Sequence, residues 1–233
     1  MEKCLLSIDW DYFVYTKENW GSYTENKKSL IDFWYKRYLN ARFRGIDIEQ
    51  NFGLTPEVGT FWAKIKKRFY FEDNIKVYVS DSHALSYKAA KERECNAVYL
   101  FDSHSDLGYG GLSALDFEVN CSNWLGKLFK DKYINKAFII YSPHTAEKPE
   151  CFQPINRIYN IKYCKLADFN NKKPCVSAIH ISRSGAWTPP WLDGKFNEFV
   201  KSLGIPYELT DCPHRPWDPD HITLSDEINY LLA

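Results

Sequence analysis

Three side chains of metal-ligand type occur at alternate positions directly after an apolar stretch in the middle of the chain. Residues 97–101 include β-branched and aromatic members, which predicts a buried strand. Asp102, His104 and Asp106 follow this strand. Residues two apart in an extended chain project to the same side, so the three side chains can converge beyond the strand's carboxyl end. We therefore favour a divalent metal site here over a polar loop with a helix cap.

Two other predicted strands lead to the same kinds of side chain. Residues 4–8 are followed by Asp9 and Asp11, and residues 75–79 lead to His83. Ligands in open α/β sheets bind outside the carboxyl ends of the strands, so we expect one shared site. Four carboxylates and two imidazoles are too many for one tetrahedral zinc, and they favour Mn²⁺ or another hard divalent ion, with two ions sharing carboxylates. Two ions about 3.5 Å apart can turn a bridging water into hydroxide near neutral pH, which predicts hydrolysis of an electrophilic carbon.

Composition limits the class of protein. The 233 residues predict a single domain, 1–233, and 30 basic against 30 acidic residues argue against nucleic acid or an anionic membrane as partner. No apolar stretch is long enough to cross a bilayer, and the first residues lack the features of a signal peptide. Seven scattered cysteines without a Cys-x-x-Cys pair predict a cytoplasmic protein without a disulfide framework.

The elements that must position these side chains follow from hydrophobic periodicity. Strands are predicted at residues 4–8, 75–79, 97–101, 136–141, 157–161 and 176–181. Helices are predicted at residues 29–39, from the N-cap Thr55 to 69, at 84–93, at 124–129 and from Thr188 to about 203. Loops are predicted at 14–28, 40–54 and 107–120, the last of them at the active site. Strands that are apolar on both faces and alternate with helices predict a three-layer α/β/α domain with a mostly parallel sheet.

Two short motifs resemble those of a known enzyme family. Residues 101–106, Phe-Asp-Ser-His-Ser-Asp, resemble the Asp-Ala-His-x-Asp motif of the ureohydrolases (arginase, agmatinase and relatives), and residues 7–11, Ser-Ile-Asp-Trp-Asp, resemble their Ser-x-Asp-x-Asp motif. His83 is similar to the single histidine that these enzymes place upstream of the Asp-His-Asp motif. The resemblance implies an arginase/deacetylase-like fold that binds two Mn²⁺ ions, and the ligand types leave other divalent metals possible.

The resemblance also implies a ligand set. One ion would be held by His83, Asp102, Asp106 and Asp9, and the other by His104, Asp102, Asp9 and Asp11, with Asp102 and Asp9 bridging. The motif order is permuted, because Ser-x-Asp-x-Asp follows the Asp-His-Asp motif in arginases and precedes it here. Arginases also carry an Asn-Leu-His-Gly loop whose histidine moves protons, whereas this chain has Leu125 at the matching place in residues 123–126.

The permuted order, the short length, and the Asn-Trp-Leu, Ser-Arg-Ser-Gly and Thr-Pro-Pro segments most resemble the peptide arginases. These enzymes convert arginine to ornithine within ribosomally made precursor peptides and release urea. The resemblance therefore implies an arginine-containing precursor peptide as partner. It also implies attack by a metal-bridging hydroxide on the guanidinium carbon, in the maturation of a ribosomal peptide natural product.

The chemistry also needs residues that no motif names. A guanidinium substrate calls for a carboxylate partner, for which Glu57 and Glu118 are candidates, with Asp116 and Asp193 as weaker ones. Each is also compatible with a solvated surface acid. Arg183 is a candidate to bind a substrate carboxylate or backbone, and a salt bridge to a neighbouring acid explains it equally well.

Four histidines outside the metal motifs are candidates for proton transfer. His144, which follows a predicted strand, is our first choice as the general acid that protonates the leaving amine. His180 lies within a predicted strand and is interpreted as structural. His214 and His221 lie in a Pro/Asp-rich stretch and reach the site only if that stretch folds over it.

Three alternatives stay open at this point. The chain could be a ureohydrolase of a free guanidino compound such as arginine or agmatine. It could be a deacetylase of the related fold, although those bind one zinc through about three side chains. It could also be a non-catalytic metal-binding module of the same fold. The sequence leaves the oligomeric state and the peptide's recognition sequence open.

Overall fold

Strands and helices alternate along the chain in the computed structural model, which describes residues 3–18, 30–169 and 173–232. The strands are β1 (Lys3–Asp9), β2 (Val14–Thr16), β3 (Phe52–Leu54), β4 (Tyr70–Ser80), β5 (Ala97–Asp102), β6 (Lys136–Tyr141), β7 (Ile161–Tyr163), β8 (Cys175–Ser182) and β9 (Glu208–Thr210). The helices are α1 (Leu30–Phe43), α2 (Phe61–Arg68), α3 (Leu85–Glu92), α4 (Trp124–Lys130), α5 (Gln153–Asn156), α6 (Asp193–Ser202) and α7 (Leu224–Leu232).

Seven of the strands form one sheet in the order β7-β6-β5-β1-β8-β4-β9. Every neighbouring pair in it is parallel. Strands β2 and β3 form a separate antiparallel pair. The predicted α/β class with a mostly parallel sheet is confirmed.

Helices cover both faces of the sheet and create two apolar cores. Helices α1, α2 and α6 contribute to one core, and α3, α4 and α5 contribute to the other. Strand β1 serves both, since Leu6 and Ile8 pack into the first core and Leu5 packs into the second. Parallel strands buried on both faces need apolar residues on both, which explains the continuous apolar runs in the sequence and confirms the three layers.

Several predicted boundaries were wrong. The strand predicted at 157–161 is mostly a turn after α5, and β7 begins only at Ile161. The helix predicted from Thr55 starts as a 3₁₀ turn, and the α-helix begins at Phe61; the Thr55 side chain does not cap it. The helix predicted from Thr188 likewise begins at Asp193, after a 3₁₀ turn. In the last two cases prolines fix the entry to a 3₁₀ turn before the regular helix.

Some elements were not predicted at all. Strands β2 and β3 lie in segments predicted to be loops, and β9 and α7 lie in the carboxyl-terminal part. The three strands are each three residues long, and the exposed edge strand β9 has no apolar alternation against a core. The predicted helix start at Ser29 and residues 19–28 of the predicted loop lie outside the described residues. Within the described part of the chain, no helix combines the length and apolar character needed to cross a membrane.

One glycine lets a helix approach the metal-motif loop closely. The backbone amides of Leu125 and Gly126, at the start of α4, donate to the carbonyl of Asp106 at 3.1 and 3.3 Å. A Cβ atom on Gly126 would lie 2.4 Å from the carbonyl oxygen of Leu107. Only glycine therefore allows α4 to pack against the loop without moving its backbone.

Candidate metal centre

Five ligand-type side chains from three strand ends meet at the carboxyl edge of the sheet. Asp9 ends β1 and Asp11 lies in the 3₁₀ turn after it, while Asp102 ends β5 and His104 follows it. His83 lies in the turn between β4 and α3. The carboxylates and His83 are buried, and the His104 side chain is 32% exposed. The structure thus brings together residues that lie up to 95 positions apart in the sequence.

The first group of ligand atoms surrounds His83. Its Nδ1 atom lies 3.1 Å from Asp9 Oδ2, 3.1 Å from Asp102 Oδ2 and 2.9 Å from Asp106 Oδ2. Asp9, His83 and Asp102 offer ligand atoms that all lie within 4.8 Å of one another, as a single metal ion requires. Asp106 contacts His83 but does not belong to that compact group.

The second group surrounds His104 and shares one residue with the first. Asp11, Asp102 and His104 also offer ligand atoms within 4.8 Å of one another. His104 Nδ1 lies 2.9 Å from Asp11 Oδ2 and 3.5 Å from Asp102 Oδ1. Asp102 therefore turns one oxygen to each imidazole, as a bridging carboxylate does. Asp9, which the resemblance also assigns as a bridge, belongs only to the first group.

Two buried atoms of the cluster lack a hydrogen-bond partner in the part of the chain that the structure describes, and a cation between them would satisfy both. His83 Nδ1 and Asp102 Oδ2 are buried, and neither has a hydrogen-bond partner among the described residues. Buried polar atoms are normally satisfied, so an unsatisfied pair needs an explanation. Adjacent ligand atoms around an octahedral ion with bonds of about 2.1 Å lie about 3 Å apart, which is the spacing around His83. The donor set can hold metal ions.

The carboxylates repel one another strongly without a cation. Burial, and then the charges of Asp106, Asp11 and Asp9, raise the pKa of Asp102 well above its usual range. Burial and the neighbouring Asp11 likewise raise the pKa of Asp9 to about 6. Placing several buried acids together costs free energy unless positive charge compensates them.

The imidazoles supply part of this compensation. Burial disfavours a charged His83, but the carboxylates of Asp102, Asp106 and Asp9 outweigh it and raise its pKa well above the ordinary value. Burial is likewise outweighed at His104, where Asp11 and Asp102 raise the pKa. Burial would raise the pKa of Asp11, yet His104 lowers it overall. Protons on the histidines thus balance part of the negative charge, and a divalent ion would replace them when it binds.

Neutral donors orient the carboxylates from outside the cluster. The Ser184 hydroxyl donates to Asp9 Oδ2, and the Trp124 indole N–H donates to Asp106 Oδ2. The Ser103 amide donates to Asp11 Oδ1 at 3.1 Å. The sequence did not assign these roles, although Ser184 lies in the Ser-Arg-Ser-Gly segment and Trp124 in the Asn-Trp-Leu segment noted above.

The cluster opens into a cavity of about 210 Å³. The cavity is lined by Asp9, Asp11, His83, His104, Asp106, Tyr109, Cys121, Ser122, Ser184 and Trp187. A second cavity of about 330 Å³ adjoins it and shares Asp11, His104 and Trp187. The predicted active-site loop at 107–120 contributes Tyr109 to the first cavity.

Two further residues lie in the adjoining cavity. The exposed His144 lines it, with its ring centroid 5.1 Å from that of Tyr15. Glu147 lines it too, accepts a hydrogen bond from the Ser105 amide at 2.9 Å, and accepts another from the Tyr109 hydroxyl. No sequence signal distinguished Glu147 from a surface acid.

The other predicted substrate-binding residues lie elsewhere. Glu57 pairs with Lys64 at 3.8 Å and lines a separate cavity, and Glu118 is exposed. Arg183 is buried and bonds to Asp81 at 2.6 Å and to Asp193 at 3.2 Å. Its role is therefore the salt bridge that we weighed as the alternative, and its guanidinium does not line either cavity.

The weaker candidates are also placed away from the cluster. Asp116 pairs with Lys130, and Asp193 pairs with Arg183 and Arg215. His214 and His221 are exposed and line neither cavity, since the carboxyl-terminal segment packs elsewhere. His180 is fully buried within β8, as its structural interpretation requires.

The chain matches no protein-family model, no curated protein and no solved structure in comparisons against each of the three. Its own residues are therefore the basis on which we assign a function.

We expect Asp102→Asn to abolish stabilisation by Mn²⁺, because it removes the carboxylate that both ligand groups share. A ligand at 100 times its dissociation constant stabilises a folded protein by about 2.7 kcal/mol, which the wild type should show as a higher melting temperature. Thermal unfolding with EDTA or Mn²⁺, together with bound-metal analysis, measures this. Asp116→Asn, which changes an exposed acid, is the matched control and should respond like wild type. An undiminished Mn²⁺ response in Asp102→Asn would contradict the site.

We expect the metal-free protein to lose stability as the pH rises from about 4 to 6. The pKa of Asp9 is raised from 3.8 to about 6, so the folded state binds this proton more tightly than the unfolded state, and the gain disappears as the group ionises. Asp9→Asn cannot titrate and should flatten this slope, with a difference of roughly 3 kcal/mol across the interval. Urea unfolding in EDTA at several pH values measures it. Parallel curves for the two proteins would contradict the assignment.

Proposed function

We propose that the chain is a divalent-metal-dependent hydrolase that converts arginine within a peptide to ornithine and releases urea. The observation that carries the proposal is the pair of Asp/His groups that share Asp102 at the carboxyl edge of the sheet. The same residues carry the resemblance of residues 101–106 and 7–11 to the ureohydrolase motifs. Sequence motif and geometry thus support one reaction class.

The charge of the cluster supports two ions. Four carboxylates carry four negative charges when ionised, which two divalent cations balance. An oxygen-rich set with one imidazole in each group favours Mn²⁺, with other hard divalent ions as substitutes. When bound, such ions supply an activated water and stabilise developing negative charge.

The reaction balances with water as the only co-reactant. The water oxygen bonds to the guanidinium carbon and the bond from that carbon to Nε breaks. Urea takes the oxygen, and the leaving nitrogen gains two protons to become the ornithine ammonium. His144, in the cavity that shares His104 with the cluster, is the candidate donor to that nitrogen. Leu125, where arginases carry their shuttle, is fully buried in the apolar core and has no part in proton transfer.

Glu147 is our candidate partner for the guanidinium group. In the described part of the chain, the cluster supplies every carboxylate that lines the cavity into which it opens. Glu147 lies in the adjoining cavity, and Tyr109, whose hydroxyl donates to it, lines the cavity at the cluster. Its carboxylate, with Tyr109 and Trp187 as aromatic walls, offers charge and a stacking surface to a planar cation.

The lining of the two cavities, which includes no lysine or arginine among the described residues, favours a peptide over free arginine. A free amino acid presents a carboxylate that needs a basic partner. Among the described residues, no lysine or arginine lines either cavity, and Arg183 is held by Asp81 and Asp193. In a peptide that carboxylate is an amide, which needs no such partner. The two adjoining cavities also leave room for the chain on either side of an inserted arginine side chain.

The reaction is tested by urea release with Mn²⁺ from an arginine-containing peptide and from free arginine. We expect urea from the peptide, a mass loss corresponding to conversion of arginine to ornithine, and at most a small fraction of that rate from free arginine. Asp102→Asn should release none, while Asp116→Asn should match wild type. Equal efficiency on free arginine would favour a ureohydrolase of free guanidino compounds. No urea from either, with metal bound, would favour a binding module.

We expect Glu147→Gln to raise KM for the peptide by about 10- to 100-fold, since one charge-assisted hydrogen bond contributes about 1.5–3 kcal/mol. Steady-state urea kinetics measure this, and bound-metal analysis of the same sample separates substrate binding from damage to the metal-motif loop. Glu57→Gln, in a separate cavity, is the matched control and should leave KM unchanged. An unchanged KM in Glu147→Gln would remove this residue from the substrate site.

A further inference from the structure

A chain of buried hydrogen bonds runs from the metal centre into the sheet. His83 Nε2 lies 2.7 Å from Ser7 Oγ, which lies 2.6 Å from Ser86 Oγ. Ser86 Oγ lies 2.6 Å from His180 Nδ1, and His180 Nε2 lies 2.9 Å from Ser80 Oγ. All five residues are at most 2% exposed. The chain joins β1, α3, β8 and β4 behind the cluster and includes a histidine that the proposed reaction does not use.

The far end of this chain fixes its direction. The Ser80 hydroxyl donates to the carbonyl oxygen of Ser82 at 2.7 Å, because a carbonyl can only accept. Ser80 Oγ must then accept from His180 Nε2–H. The His180 ring is fully buried and its two nitrogens contact the serine hydroxyls of Ser80 and Ser86, with no carboxylate among the described residues to compensate a positive charge, so the ring is neutral and its Nδ1 is an acceptor.

The remaining hydrogens follow in order toward the metal centre. His180 Nδ1 accepts from the Ser86 hydroxyl, and Ser86 Oγ accepts from the Ser7 hydroxyl. Ser7 Oγ must accept in turn, and its donor is His83 Nε2–H. A neutral His83 with its hydrogen on Nε2 has a lone pair on Nδ1, which is the atom surrounded by the three carboxylates.

We propose that this chain sets the tautomer of His83, and that Ser7, Ser86 and His180 are positioning residues for divalent-metal binding. The inference rests on the metal site of the proposed function and not on the reaction catalysed there. Metal-binding histidines commonly donate their second ring N–H to a carboxylate or carbonyl. Here serines and a neutral imidazole do this without adding another negative charge beside four carboxylates.

Breaking this chain of hydrogen bonds should weaken metal binding more than it lowers the stability of the fold. Without the Ser86 hydroxyl, the Ser7 hydroxyl loses its acceptor and turns to donate to His83 Nε2. The hydrogen that His83 keeps when it loses its second proton is then held on Nδ1, where the carboxylates accept it and a metal ion cannot bind. The metal-free protein keeps the contacts between Nδ1 and the carboxylates in either case, whereas metal binding must first move that hydrogen to Nε2.

The test compares Ser86→Val with Ser86→Thr, which have the same shape and differ in the hydroxyl group. Calorimetric titration with Mn²⁺ should give about 10- to 100-fold weaker binding for the valine variant than for the threonine variant. Ser177→Ala is the matched control, because Ser177 is an equally buried serine of β8 that contacts Cys95 instead. Its Mn²⁺ affinity should equal that of wild type. If neither Ser86 variant folds, the same titration is made on Ser7→Ala, which only removes an oxygen and should also bind Mn²⁺ more weakly than wild type.

A spectroscopic measurement reports the tautomer directly. In the Zn²⁺-loaded, diamagnetic wild type, ¹⁵N NMR should show His83 protonated at Nε2 and metal-bound at Nδ1, with a slowly exchanging Nε2 proton. Ser7→Ala should lose that slow exchange. Equal Mn²⁺ affinities for the valine and threonine variants, or a metal ion bound to His83 Nε2, would overturn this inference and leave the proposed function standing. A wild type that binds no divalent ion would overturn the proposed function together with it.

Discussion

Four carboxylates buried at one edge of the sheet repel one another, and the rest of the site is arranged around that repulsion. The raised pKa values of Asp9 and Asp102 express its cost. His83 and His104 offset part of it by attracting protons, and divalent ions, which the cluster could hold, would offset more of it by their charge. A cluster this unfavourable on its own is retained in proteins where it binds something positive.

Neutral groups donate hydrogen bonds to several carboxylates of the cluster. Ser184 and Trp124 each hold a carboxylate oxygen with an uncharged O–H or N–H. The neighbour of Ser184 in the sequence, Arg183, is charged but is paired with Asp81 and Asp193 instead of the ligands. The ligands are thereby oriented without competing cations, which leaves the attraction of the site for a metal ion undiminished.

The sequence predicted the strand ends and the ligand types because both depend on local pattern: an apolar run, then acids and imidazoles at period two. It could not predict Glu147, whose place depends on the packing of a loop after β6 against the metal-motif loop. It also could not show that Glu57 lines a separate cavity, because a helix start looks the same in the sequence beside a site and away from it. The missed edge strand β9 and helix α7 have weak periodic patterns of their own and depend on what they pack against.

The strand order has a consequence for when the site can form during folding. All the candidate ligands lie within residues 9–106, yet β8 (Cys175–Ser182) lies between β1 and β4 and pairs with both. His83 therefore cannot reach Asp9 until a strand made much later has inserted between their strands. Such long-range parallel pairing is slow to form. An emerging chain can pair β1 with β5 and bring Asp9 close to Asp102, but the His83 side of the site stays incomplete until β8 is in place. Tight metal capture would therefore mark the moment at which the whole sheet has closed.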